Sequence, residues 1–88
     1  MTAREQTMTF EGFRRFVSDI LGIAEEALTP RTHLVHDLAV DSLKLVELMV
    51  QLEKVLDKKI PSDVAWEILT MGDIYQYYLR HAEKKDDR

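Results

Sequence analysis

The sequence predicts an all-α protein, a small four-helix bundle of three main helices plus a short third helix, with a long first loop. Three observations carry that prediction. Apolar residues recur at three- and four-residue spacing in three separate stretches, Gly or Pro stands just beyond two of them, and nothing alternates with period two for long enough to make a sheet. At 88 residues the chain has room for one domain and one core. Apolar residues make up 45% of it and cysteine is absent, so burial must hold the fold without disulfides or thiolate-bound metal.

The first helix is expected over 9–21. Phe10, Phe13, Val17, Ile20 and Leu21 share a face, Thr9 is available as a cap, and Gly22 follows the end. A connection from Ile23 to Asp41 comes next, broken by Thr29-Pro30. Leu28, Leu34, Val35 and Leu38 are expected to pin it to the core, and an anchored loop of this length is usually functional. The strongest helix is expected over 42–57. On a wheel of about 100° per residue, Leu45, Leu48, Met49, Leu52, Val55 and Leu56 fall on the buried side. Lys44, Glu47, Gln51, Lys54 and Lys58 fall on the wet side, and Pro61 then ends the pattern. Ser62 is expected to cap a short helical turn reaching Trp66. Thr70-x-x-Asp73 resembles a capping box opening a last helix through Ile74, Tyr75, Tyr78 and Leu79. The expected division is a flexible N-terminus over 1–8, one domain over 9–80 and a flexible charged tail over 81–88.

Net charge is −4, which disfavours nonspecific nucleic-acid binding, because that rests on phosphate neutralisation by Lys and Arg. Within 42–59, however, Lys44, Lys54, Lys58 and Lys59 outnumber Glu47, Glu53 and Asp57, so the acidity lies mainly on either side. Met1 to Met8 lacks the apolar run of a secretion signal, and no segment is long and apolar enough to span a membrane. The cytoplasm is the expected compartment. A nucleophilic serine would need a base and an orienting acid, and no HExxH, CxxC or Gly-rich phosphate loop occurs. His33, His36 and Asp37 are too sparse a set for a metal and read as exposed loop residues. Trp66, Tyr75, Tyr77 and Tyr78 read as core and interface aromatics, since no basic stripe accompanies them. Neither catalysis nor a metal site is expected.

Asp41-Ser42-Leu43 remains, at the seam between the anchored loop and the best helix. Alone, it reads as a helix cap. Its surroundings alter that reading, because residues 33–59 (HLVHDLAVDSLKLVELMVQLEKVLDKK) resemble the central signature of acyl carrier proteins. That signature has an apolar residue, two variable positions, Asp-Leu-Gly, one more residue and Asp-Ser-Leu. Here these are Leu34, Asp37, Leu38, Ala39, Val40, Asp41, Ser42 and Leu43. Val46-Glu47-Leu48, Ile60-Pro61 and Thr70-Met71-Gly72-Asp73 continue the resemblance, which runs from Ile20 to Leu79. It implies a discrete carrier in which a phosphopantetheinyl transferase joins the 4′-phosphopantetheine of coenzyme A to Ser42, flanked by Asp41 and Leu43. An acyl or aminoacyl group would then ride as a thioester on the terminal sulfur. A helix start suits the phosphate, because unpaired backbone N–H groups and the positive end of the dipole meet there.

Leu43, Val46 and Val50 lie together outside the main core arc, on the side of Ser42. They either pack beneath the loop or short helix, or form an exposed strip for docking partner enzymes. The resemblance favours docking, with Glu47 and Glu53 adding electrostatic steering. The implied partners are the transferase, an acyl-activating ligase or synthase, and tailoring enzymes, all meeting a monomer. Two departures stand out: Ala39 replaces the usual Gly, and Lys44 stands where fatty-acid carriers commonly have an acid. Lys54, Lys58 and Lys59 dilute the acidity further. These features point to a specialised polyketide, nonribosomal-peptide or other dedicated acyl route. A carrier of primary fatty acid synthesis and an unmodified adaptor acting through the second helix are the competing readings.

Overall fold

The computed structural model describes residues 7–85. Four helices are formed among them, α1 (Phe10–Leu21), α2 (Ser42–Leu56), α3 (Ser62–Ala65) and α4 (Met71–Lys85), with one turn of 3₁₀ helix at Glu25–Ala27 inside the long loop. The all-α expectation holds.

Local chemistry explains the helix ends. Thr9 Oγ1 accepts the Gly12 N–H at 3.1 Å, and α1 stops where Gly22 turns left-handed at φ 70°. Asp57, at φ 57°, ends α2 one residue earlier than expected. Ser62 is not the cap of α3. Pro61 holds that position without a side-chain bond, its fixed φ fitting a helix entry, and Ser62 is the first helical residue. At the start of α4, Thr70 Oγ1 accepts the Asp73 N–H at 3.1 Å, the forward half of the expected capping box. This helix continues through His81 to Lys85, so the segment expected to fray is helical that far. Met8, placed in a flexible leader by sequence, is held by two tyrosines. Its N–H donates to Tyr78 Oη at 2.7 Å, and its carbonyl accepts from Tyr75 Oη at 2.9 Å.

α1, α2 and α4 pack around a core that includes Phe13, Val17, Leu45, Leu48, Leu52, Leu56, Met71, Ile74 and Tyr78. Phe13 stacks on Tyr78 with centroids 5.3 Å apart and meets Tyr75 at 5.2 Å. Two expected core residues are not buried. Val55 is 38% exposed, because it lies about 60° round the helix from Leu52, at the edge of the buried arc. Val35 is also exposed, since the turn that sends Leu34 inward points its neighbour out. No helix among the described residues is long and apolar enough to cross a membrane.

The long loop is fastened as well as anchored. His33 and Thr70 form an isolated antiparallel bridge, with the Leu34 N–H donating to the Leu69 carbonyl and the Met71 N–H to the Thr32 carbonyl, both at 2.9 Å. The Gly72 N–H donates to the Pro30 carbonyl at 2.9 Å. Buried Thr32 satisfies its hydroxyl on the Ala27 carbonyl. This latch ties the loop before Ser42 to the first turn of α4.

Gly72 permits the close approach: a Cβ there would stand 2.9 Å from the Pro30 oxygen, a backbone atom that cannot rotate away. Gly72→Ala should therefore destabilise the protein by about 1–2 kcal/mol in urea unfolding, despite the usual helical preference for Ala. Unchanged or greater stability would show that the latch yields freely.

Candidate functional site

The residues around Ser42 are placed by burial on both sides. Val40 is buried immediately before the helix and Leu45 one turn into it, so the chain between them has little freedom to rotate. Asp41 Oδ1 accepts the Lys44 N–H at 2.9 Å and so performs the capping that sequence alone could also assign to Ser42. Ser42 is the first helical residue, exposed, and its hydroxyl makes no hydrogen bond to the described residues. Its oxygen is left available for chemistry.

Upstream, residues 33–40 form a compact turn. The Asp37 N–H donates to the His33 carbonyl, the Ala39 N–H to the Val35 carbonyl and the Val40 N–H to the Leu34 carbonyl. His33 Nδ1 accepts the N–H groups of Val35 and His36, and Asp37 Oδ2 accepts the His33 N–H. The histidine–aspartate group is thus occupied with the turn, and no set of three metal-ligating side chains occurs among the described residues. Ala39 closes the turn at φ 55°, in the left-handed region that a Cβ disfavours. Of the expected anchors, Leu34 is fully buried while Leu38 is only half-buried. Val40 anchors the turn instead, and its position between Ala39 and Asp41 gave no periodic signal.

The strip beside Ser42 is open: Leu43 is 75% exposed, Val46 52% and Val50 42%. Val46 and Val50 also form one wall of an apolar cavity of about 170 Å³ between α2 and α3, completed by Met49, Ile60, Ala65 and Trp66. These valines therefore pack partly beneath the short helix and remain partly exposed. This cavity had no single-residue signature, because it needs α3 set across from α2.

The two glutamates near the strip are already engaged. Glu47 lies 3.8 Å from Lys44. Glu53 Oε2 accepts the Ile60 N–H at 2.9 Å, fastening the end of α2 to the entry of α3. Burial first, and the Glu53 carboxylate second, push the Tyr77 hydroxyl above its ordinary value, consistent with an inward-facing Glu53.

Residues 11–78 match a family model described as a phosphopantetheine attachment site. The chain is similar to the acyl carrier protein of Clostridium perfringens (strain SM101 / Type A), at 35% identity over 75 residues covering 85% of this chain and 99% of the relative. The acyl carrier protein of Syntrophobacter fumaroxidans is 38% identical over 65 residues, covering 74% and 80%. That of Clostridium acetobutylicum is 32% identical over 77 residues, covering 88% and 100%.

Ala39→Gly should stabilise the chain by about 0.5–1 kcal/mol, since relief of the left-handed strain exceeds the extra freedom of the unfolded state. Urea unfolding of the two proteins side by side checks this, and a loss of stability would show that the turn is relaxed with Ala.

Proposed function

This chain belongs to the acyl carrier protein family and bears its phosphopantetheine attachment domain; from that premise we propose that Ser42 receives the arm and that the loaded protein serves a specialised biosynthetic route. The observation that carries the site is the division of labour at the start of α2. Asp41 caps, so Ser42 is exposed with its hydroxyl unspent. The residues fit the group. A phosphate on Ser42 Oγ would sit at the first turn of a 15-residue helix, near the positive end of its dipole.

In attachment, Ser42 Oγ is the nucleophile. Its bond to phosphorus forms as the pyrophosphate bond of coenzyme A breaks, the nucleotide leaves, and the serine proton passes to a base of the transferase. The arm supplies a terminal thiol, absent from a chain without cysteine, on which an acyl or aminoacyl group is held as a thioester. Val46, Met49 and Val50, one to two turns from Ser42, offer with Ile60 an apolar refuge where each buried methylene of a cargo would gain about 0.8 kcal/mol. The carrier contributes no catalytic residue in this reading and works as a cytoplasmic monomer.

Leu43, Val46 and Val50 form the docking strip for the transferase, the loading ligase or synthase, and tailoring enzymes. The basic residues Lys44, Lys54, Lys58 and Lys59 support a polyketide, nonribosomal-peptide or other dedicated acyl route over primary fatty acid synthesis.

Incubation with coenzyme A and a broad-specificity transferase should add the mass of one phosphopantetheine to the intact protein, and Ser42→Ala should abolish the gain. An unchanged wild-type mass, under conditions that convert a control carrier, would favour the unmodified adaptor. Val46→Asp should keep the helical circular dichroism near wild type while slowing acyl loading about tenfold. Loss of the helical signal would show that Val46 supports the core instead.

A further inference from the structure

We propose that the C-terminal end of α2 is a basic pole of the docking surface, matched to a localised acidic patch on a partner protein. The proposal rests on the reading above, in which the arm is on Ser42 and partners approach along α2.

The charges facing outward are not those that composition suggests. Lys44 and Glu47 neutralise each other 3.8 Å apart, so seen from a partner they sum to nothing. Glu53 is turned toward the Ile60 N–H. Lys54, Lys58 and Lys59 are exposed and make no ion pair among the described residues. Glu53 and Asp57 are the other charged side chains around the shallow groove of about 440 Å³ that the lysines share with Val50. Three lysines therefore stand against two carboxylates, since the hydrogen bond that orients Glu53 leaves its charge in place, and the pole carries an excess of one positive charge on a molecule whose net charge is −4.

Helix geometry joins this pole to the apolar strip. Leu43, Val50 and Lys54 fall within about 40° on the wheel, on the side opposite the core stripe. Lys54 stands about 18 Å along the axis from Ser42, at 1.5 Å per residue. A partner lying over the strip with its entrance at Ser42 would thus meet lysines at its far edge.

The class of partner follows from the size of the pole. A nucleic acid or an anionic membrane presents its charge over a long line or sheet, which the acidic remainder of this molecule repels. A few carboxylates beside an apolar docking surface on a protein would meet the lysines alone. Such contacts act at the rim, so they govern encounter and salt dependence more than intimate packing.

The test uses two synthetic amphipathic helical peptides with the same leucine face, one flanked by glutamates and the other by lysines. Each is titrated into the ¹⁵N-labelled protein after treatment with coenzyme A and the transferase, whatever mass that treatment leaves. The acidic peptide should shift the amides of Val46, Val50, Lys54 and Lys58, and bind about tenfold more tightly than the basic one at 50 mM salt. That advantage should shrink to about twofold at 0.5 M salt, and K54E/K58E/K59E should reverse the preference. Equal affinities, a preference for the basic peptide, shifts centred on α1 or α4, or no binding by either peptide would each overturn the proposal. The wild-type comparison decides even if the triple variant fails to fold. Mass gain from the transferase reports the Ser42 reading separately, so either idea can fail without the other.

Discussion

The rotation of α2 about its own axis is the constraint on which the rest depends. Leu45, Leu48, Met49, Leu52 and Leu56 must face α1 and α4, and each is buried. At about 1.5–3 kcal/mol for burying each side chain, the stripe outweighs any single polar preference along the helix. A one-residue slip would turn the helix by about 100° and pull the stripe from the core. With the rotation fixed, Leu43, Val46, Val50 and Lys54 have no choice but to face outward. The exposed strip is the complement of the core, and the same leucines specify both.

Position along the axis is set separately, by the loop. Val40 is buried, Asp41 caps, and Leu45 is buried, so the helix must begin at Ser42 and nowhere else. The latch from Pro30 and Thr32 to Gly72 and Met71 keeps that loop against α4, and the left-handed Ala39 lets it turn into the helix. An alanine at this position costs stability that a glycine would not. The turn forms regardless, because Leu34 and Val40 are held inside on either side of it.

Helices, caps at Thr9 and Thr70, and most of the core were legible because period and capping chemistry are local. Where burial depends on what lies opposite, the sequence was a poorer guide. Val55 passes every helical-spacing test yet sits at the edge of the packed arc, and Val35 looks like an anchor beside a residue that is one. Val40 was missed as an anchor for the converse reason, since the short apolar run Leu38-Ala39-Val40 carries no period that says which of its members turns inward. Asp41 against Ser42 as the cap could not be decided from residue types, as both are good caps. It took the 2.9 Å bond from the Lys44 N–H to separate them. The α2–α3 cavity was illegible outright, because its walls come from two segments whose spacing depends on the Glu53–Ile60 bond.

That bond also bears on how the charge of α2 should be read. Glu47 and Glu53 count equally with the lysines in a tally, and on that tally 42–59 is only slightly basic. A partner feels that sum and also where each charge is held. Glu53 holds the entry to α3, which shapes the wall of the apolar cavity, and Glu47 is cancelled by its neighbour Lys44. The carboxylates that steering arguments would use first are thus committed to the fold, while Lys54, Lys58 and Lys59 are not. Structural use of the acids fixes where the negative charge stands without removing it, so the sum over 42–59 stays slightly basic while Lys54, Lys58 and Lys59 keep their freedom to move.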